Sequence, residues 1–157
     1  TLSVSATTRP PRRGEQNGRD YYFISREEFE NRVRRGDFVE WAEYAGNLYG
    51  TLKSEIERGA RDASALVMDI DVQGGEQVMR AYPDAVTIFL EPPSFDELVR
   101  RLDRRGTDSP EAKLRRIEIA RREMERRGSY HYRVVNDDLD RAVREVYDII
   151  REHRKTA

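Results

Sequence analysis

Two arginines, Arg9 and Arg12, close the stretch Ser3-Val-Ser-Ala-Thr-Thr-Arg-Pro-Pro-Arg12. Small hydroxyl residues precede them, and Pro10 and Pro11 stiffen the loop between them. Guanidinium groups make charge-assisted, bidentate bonds to oxyanions, so the stretch reads as a clip for a phosphate monoester. The plainer alternative is a solvated loop with salt bridges to Glu15 or Asp20. A second basic concentration follows at Arg101, Arg104, Arg105, Arg115, Arg116, Arg121 and Arg122. Pairs at i,i+4 such as Glu118–Arg122 explain its latter half as an ordinary helix surface. They explain Arg104-Arg105 in front of a glycine less well. No G-x-x-x-x-G-K-[ST] loop occurs in the sequence, so the acceptor half of a phosphotransferase is legible and the usual donor half is not.

The elements that must position these groups follow from composition and pattern. A chain of 157 residues makes one domain with a real core. Charged residues make up 38%, yet the net charge is −1, which argues against a nucleic-acid binder with its basic stripe. Of 29 basic residues only Lys53, Lys113 and Lys155 are lysine. That bias suits anion binding, although codon or habitat bias accounts for most of the arginines. With no cysteine, a cytoplasmic home is permitted. No apolar run approaches a membrane span, and no signal peptide opens the chain.

Strands are expected at residues 2–5 and 21–24, and a hairpin at 38–44 and 48–51. Ser25-Arg-Glu-Glu28 is a capping box, opening a helix that stops at Gly36. A short helix is expected over 53–58. Residues 65–70 and 85–90 are nearly all apolar, as in strands buried on both faces of a parallel sheet. Gln73-Gly-Gly75 reads as a turn into a helix ending at Ala81. Ser94-Phe-Asp-Glu97 caps another helix, Pro110 starts an Arg-rich one, and a strand at 132–135 precedes a closing helix. Alternating strands and helices in the second half indicate an open α/β sheet. His131 and His153 are isolated and are assigned structural or exposed roles.

In order along the chain, the Ser3–Arg12 stretch, Gly14-Glu15, Gly18-Arg-Asp-Tyr21, Phe38-Val-Glu-Trp-Ala42, Gly46-Asn-Leu-Tyr-Gly-Thr51, Asp69-Ile-Asp-Val-Gln-Gly74, Arg105-Gly-Thr107 and Val135-Asn-Asp-Asp-Leu-Asp140 resemble the guanylate kinase family. Jointly these motifs are specific, and they cover essentially the whole chain. The resemblance implies an α/β fold with a parallel-sheet core at 1–6, 62–103 and 128–157. It implies an inserted mixed α/β subdomain for GMP at 7–61 and a helical lid at 104–127. It also implies a strand, a phosphate-binding loop and a helix ahead of Ser3, none of which this sequence contains. The core is therefore expected to close up as four strands, or to borrow a swapped segment in a homodimer.

The resemblance implies that Arg9 and Arg12 clamp the GMP phosphate, with hydroxyls from Tyr21 and Tyr49. Ser5 stands where the enzymes carry Ser and related scaffold domains often carry Pro. Glu40, Asp71 and Thr51 would read guanine. Its N1–H and N2–H are donors and an ionised carboxylate only accepts, whereas adenine reverses that pattern. Asp69 would help hold Mg²⁺, Arg105 and Arg116 would steady the transferring phosphoryl group, and Asn136 would lie near the donor base. The implied partners are GMP and ATP, with no nucleic acid and no membrane. The implied activity is phosphoryl transfer from ATP to GMP, with lid arginines and metal making up for the loop. The alternative is an inactive GMP-binding or protein-interaction domain.

Overall fold

A computed structural model describes residues 1–62, 65–104 and 110–154. The chain divides into two compact units, Thr1–Ala85 and Val86–Ala157.

The first unit is a four-stranded mixed sheet with three helices. Its strands are β1 (Ala6–Thr7), β2 (Tyr22–Phe23), β3 (Phe38–Tyr44) and β4 (Asn47–Leu52), in the order β2-β1-β4-β3. β1 and β2 are parallel, and the other pairings are antiparallel. Helix α1 (Arg26–Arg35) begins where the capping box predicts: Ser25 Oγ accepts the Glu28 N–H at 3.1 Å. It ends at Gly36, whose φ of 71° is the left-handed cap that glycine adopts without a steric penalty. Phe29 of α1 is fully buried and stacks on Phe38 at 4.4 Å between ring centroids. Ala6, Leu48 and Leu52 complete that core.

The two faces of this sheet do different work. Along β4, Leu48 and Leu52 join the α1 core, so the alternating Tyr49 and Thr51 point to the opposite face. Strict alternation along β3 would put Glu40 on the same face as Phe38. A register shift between Phe38 and Glu40 prevents that. Phe38 and Trp41 both contact Phe29, while Glu40 pairs with Thr51 across the ladder. An irregularity of this kind re-aims a side chain at the cost of one ladder rung.

Helix α2 (Lys53–Asp62) runs about a turn longer than expected from sequence. Helix α3 (Val72–Ala81) begins earlier than expected. Gln73-Gly-Gly75 is its first turn rather than a turn before it, because the Asp71 carboxylate accepts the Gly74 N–H at 2.8 Å and caps the helix there. The strand expected at 65–70 is reduced to a single bridge, Leu2 with Val67. It is held by Ser3 N–H to Val67 O at 2.9 Å and Val67 N–H to Thr1 O at 2.8 Å, too few bonds for a ladder.

The second unit carries β5 (Ile88–Glu91) parallel to β6 (Tyr132–Val135), with α4 (Phe95–Arg104), α5 (Pro110–Glu125), a 3₁₀ turn at Arg126–Ser129 and α6 (Leu139–Arg154). Among the described residues this unit contributes two strands, paired with each other. Val134, Ala142 and Ile149 make its core. Ser94 Oγ caps α4 through the Glu97 N–H at 3.1 Å. His131 hydrogen-bonds Thr87, and His153 bonds the Tyr132 hydroxyl at 3.0 Å. Among the described residues no helix is long and apolar enough to cross a membrane.

Candidate functional site

The site face of the first sheet carries two clusters. The first surrounds Arg9, just beyond β1. Its guanidinium lies 5.3 Å from the Tyr21 ring centroid and 5.8 Å from that of Phe23. Tyr21 and Tyr49 meet edge to face at 6.2 Å. Both terminal nitrogens of Arg9 donate to Glu15, at 3.0 and 2.9 Å, and Nη1 also donates to the Pro10 carbonyl at 2.8 Å. The plainer reading of the loop is thus realised for Arg9 and Glu15 at the same time as the convergence with the tyrosines. The Glu15 hydrogen bond is the main reason that the Arg9 pKa is raised, with smaller help from Tyr49. The Glu15 carboxyl is held below its ordinary range by Arg9 and by the Arg12 backbone N–H. Arg12 itself is exposed, and among the described residues its guanidinium makes no hydrogen bond or ion pair. Ser5 is half-buried, and its carbonyl accepts the Tyr22 N–H at 2.9 Å.

The second cluster unites Glu40, Thr51 and Asp71. Glu40 is only 4% exposed. Burial raises its pKa; the Thr51 hydroxyl and backbone N–H oppose that rise, and the negative charge of Asp71 adds to it. Thr51 Oγ1 is buried and within electrostatic reach of Glu40, yet it completes no hydrogen bond of good geometry with a described group. Asp71 divides its carboxylate between capping Gly74 and a longer contact from Gln73 Nε2 at 3.4 Å. A carboxylate with raised pKa, a second carboxylate and an unsatisfied hydroxyl form a cluster rich in acceptors. An ionised carboxylate only accepts hydrogen bonds, so the natural complement of such a cluster is an N–H donor.

Several residues that organise the site carry no motif of their own. Gln77 bonds both polar groups of the Trp41 backbone, accepting its N–H at 3.2 Å and donating to its C=O at 2.8 Å. These bonds dock α3 on β3 next to Glu40. Glu55, 2% exposed, accepts the Val4 N–H at 2.8 Å, the Tyr22 hydroxyl at 3.1 Å and the Arg58 guanidinium at 2.6 Å. It anchors the segment leading into β1. From sequence alone, Glu55–Arg58 looks like a surface i,i+3 pair.

Asp69 is exposed. Among the described residues no three acidic, histidine or cysteine side chains gather as a metal cage. In the second unit Arg116 is half-buried on α5. Asn136 follows β6, its N–H bonded to Glu91 O at 2.7 Å and its carbonyl to Arg101 at 2.8 Å. It borders a groove of about 320 Å³ whose other walls include Leu90, Leu139, Val143 and Tyr147. Arg105 lies outside the described residues.

The guanylate kinase family model matches residues 1–153. The chain belongs to the guanylate kinase family. It is 50% identical over 149 residues to a guanylate kinase of Rubrobacter xylanophilus, covering 95% of this chain and 78% of the relative. It is 48% identical over 153 residues to a guanylate kinase of Thermus thermophilus, covering 98% of this chain and 70% of that one. The crystal structure of guanylate kinase from Anaplasma phagocytophilum superposes with a TM-score of 0.82 at 34% identity, covering 98% of this chain and 75% of that chain. The mixed α/β fold is therefore that of a guanylate kinase, and the chain falls in an enzyme family of nucleoside monophosphate kinases.

Proposed function

We propose that this guanylate kinase family member transfers the γ-phosphoryl group of ATP to GMP, giving ADP and GDP. The observation that carries the reading is the acceptor cluster of Glu40, Thr51 and Asp71 on the same sheet face as the Arg9–Tyr21–Tyr49 cluster. Guanine has N–H donors for the acceptor cluster, and the 5′-phosphate has oxygens for the arginine cluster. In this reading Glu40 accepts from the guanine N2–H, Asp71 accepts beside it along the same edge, and Thr51 Oγ1 gains the partner it lacks within the protein. Glu15 holds Arg9 in place, Arg12 turns its open guanidinium to the phosphate, and the Tyr21 and Tyr49 hydroxyls complete the clamp. Ser5 lines the same entry.

An ionised GMP phosphate oxygen attacks the γ-phosphorus in line. It is already anionic at neutral pH, so no general base is needed, and the protein's task is positioning and charge stabilisation. Arg105 and Arg116 meet the charge on the transferring group, and Asn136 lies toward the donor base. A lone exposed carboxylate such as Asp69 fits Mg²⁺, which keeps several waters and binds through one or two carboxylates plus substrate phosphates. When bound, that ion neutralises phosphate charge.

A coupled assay with ATP and GMP tests the reading. Purified protein should form GDP, and Arg105→Ala or Arg116→Ala should each lower kcat by about 10³-fold. GMP binding without any GDP from purified protein would overturn it.

A further inference from the structure

Gly74 leaves open the volume that Glu40 fills. A Cβ built on Gly74 would stand 2.4 Å from Glu40 Oε2 and 3.0 Å from Glu40 Cδ. Glu40 is 4% exposed, on a strand whose backbone is pinned at the adjacent Trp41, so the strand cannot move off and the carboxylate itself must give way. The helix cannot back away either. Its first turn is fixed by Asp71 on the Gly74 N–H at 2.8 Å, and Gln77, one turn on, holds the Trp41 backbone at both ends. Gly74 and Gln77 are i,i+3 on one helix face, so one supplies the gap and the other sets its width.

The carboxylate thus occupies the place where an N3 side chain of α3 would lie. A glutamate or glutamine at N3 often closes a capping box with its own helix. Here the residue at N3 has no side chain, and a carboxylate from the neighbouring strand enters instead, beside the carboxylate of the N-cap. We propose that Gly74, held at its distance by Gln77, is a positioning residue that places the Glu40 carboxylate for base recognition and so sets the preference for a purine carrying a 2-amino group. This rests on the assignment of Glu40 to guanine made above.

The test compares GMP with IMP, which keeps N1–H and lacks the 2-amino group, as acceptors for wild type, Gly74→Ala, and Gly74→Ala combined with Glu40→Asp. The added methyl should push the carboxylate aside. The GMP-over-IMP ratio of kcat/KM should then fall at least about tenfold, through a higher KM for GMP, while IMP turnover changes little. Shortening Glu40 by one methylene removes the overlap, so the thermal destabilisation by Gly74→Ala should be smaller in the Glu40→Asp background, a non-additivity expected only of groups in contact. An unchanged acceptor ratio in Gly74→Ala, or an equal loss with both acceptors and additive unfolding shifts, would overturn the inference. Wild-type protein inert toward GMP would instead sink the assignment beneath it, and the unfolding cycle would still decide whether Gly74 makes room for Glu40.

Discussion

Glu40 and Glu55 lie in the same unit, both nearly sealed from solvent, and their surroundings differ in every other respect. Burial pushes the Glu55 pKa up, but Arg58, the Val4 N–H and the Tyr22 hydroxyl outweigh it and hold the carboxyl below its ordinary value. Burial pushes Glu40 up too, with only Thr51 in opposition and Asp71 reinforcing the rise. A buried charge costs several kcal/mol unless it is paired. The region around Glu55 meets that cost inside the protein and ties three chain segments together. Around Glu40 only Thr51 offsets that cost. The contrast separates a carboxylate that builds the fold from one free to serve the substrate role proposed for it.

Three measurements distinguish the two carboxylates. Glu55→Ala strands the donors of Val4, Tyr22 and Arg58, and unfolding free energy by urea titration should fall by about 3 kcal/mol. We take the low end of the range because the Arg58 side chain remains 34% exposed. Glu40→Gln should do the opposite to the fold, leaving stability level or raising it by about 1 kcal/mol, while lowering kcat/KM for GMP by about 100-fold. If Glu40→Gln destabilised as strongly as Glu55→Ala, the two regions would not differ in kind.

The smallest effect is in pH dependence. Glu40, raised from an ordinary 4.5, favours the fold when protonated and loses that advantage as pH rises through its elevated value. Glu55, lowered from 4.5, contributes stability above that pH and loses it as pH falls through its depressed value. Relative to wild type, Glu40→Gln should therefore gain stability upward from about pH 4.5, and Glu55→Gln should be worst there and converge on wild type in acid. Curves shifted in parallel would contradict both assignments. The acid limb of kcat/KM for GMP should also move when Glu40 is replaced.

Local chemistry made much of this readable in advance. Ser25, Gly36 and Ser94 mark helix ends by hydrogen bonds made within a few residues, and the β3–β4 hairpin follows from alternation around Ala45-Gly46. The family motifs name Arg9, Tyr21, Tyr49, Glu40, Thr51 and Asp71, and the sheet brings these into two clusters. What escaped depends on distant partners. Residues 65–70 are apolar enough for a buried strand, but a strand is defined by its ladder, and Val67 makes one bridge. The shift between Phe38 and Glu40 carries no residue signature, yet it decides which way Glu40 faces. Gly74 read as part of a turn because its value lies in the space it leaves for a strand more than thirty positions earlier.

Gln77 has one more consequence. β3 is the outermost strand in the order β2-β1-β4-β3, so one side of its backbone has no neighbouring strand in that sheet. Such a border invites a strand from another molecule and, repeated, leads to fibrous association. The Gln77 carboxamide presents a donor and an acceptor to Trp41 much as a passing backbone would. A single side chain thereby closes the middle of the border, and the helix that leaves room for Glu40 also guards the molecule against its own copies.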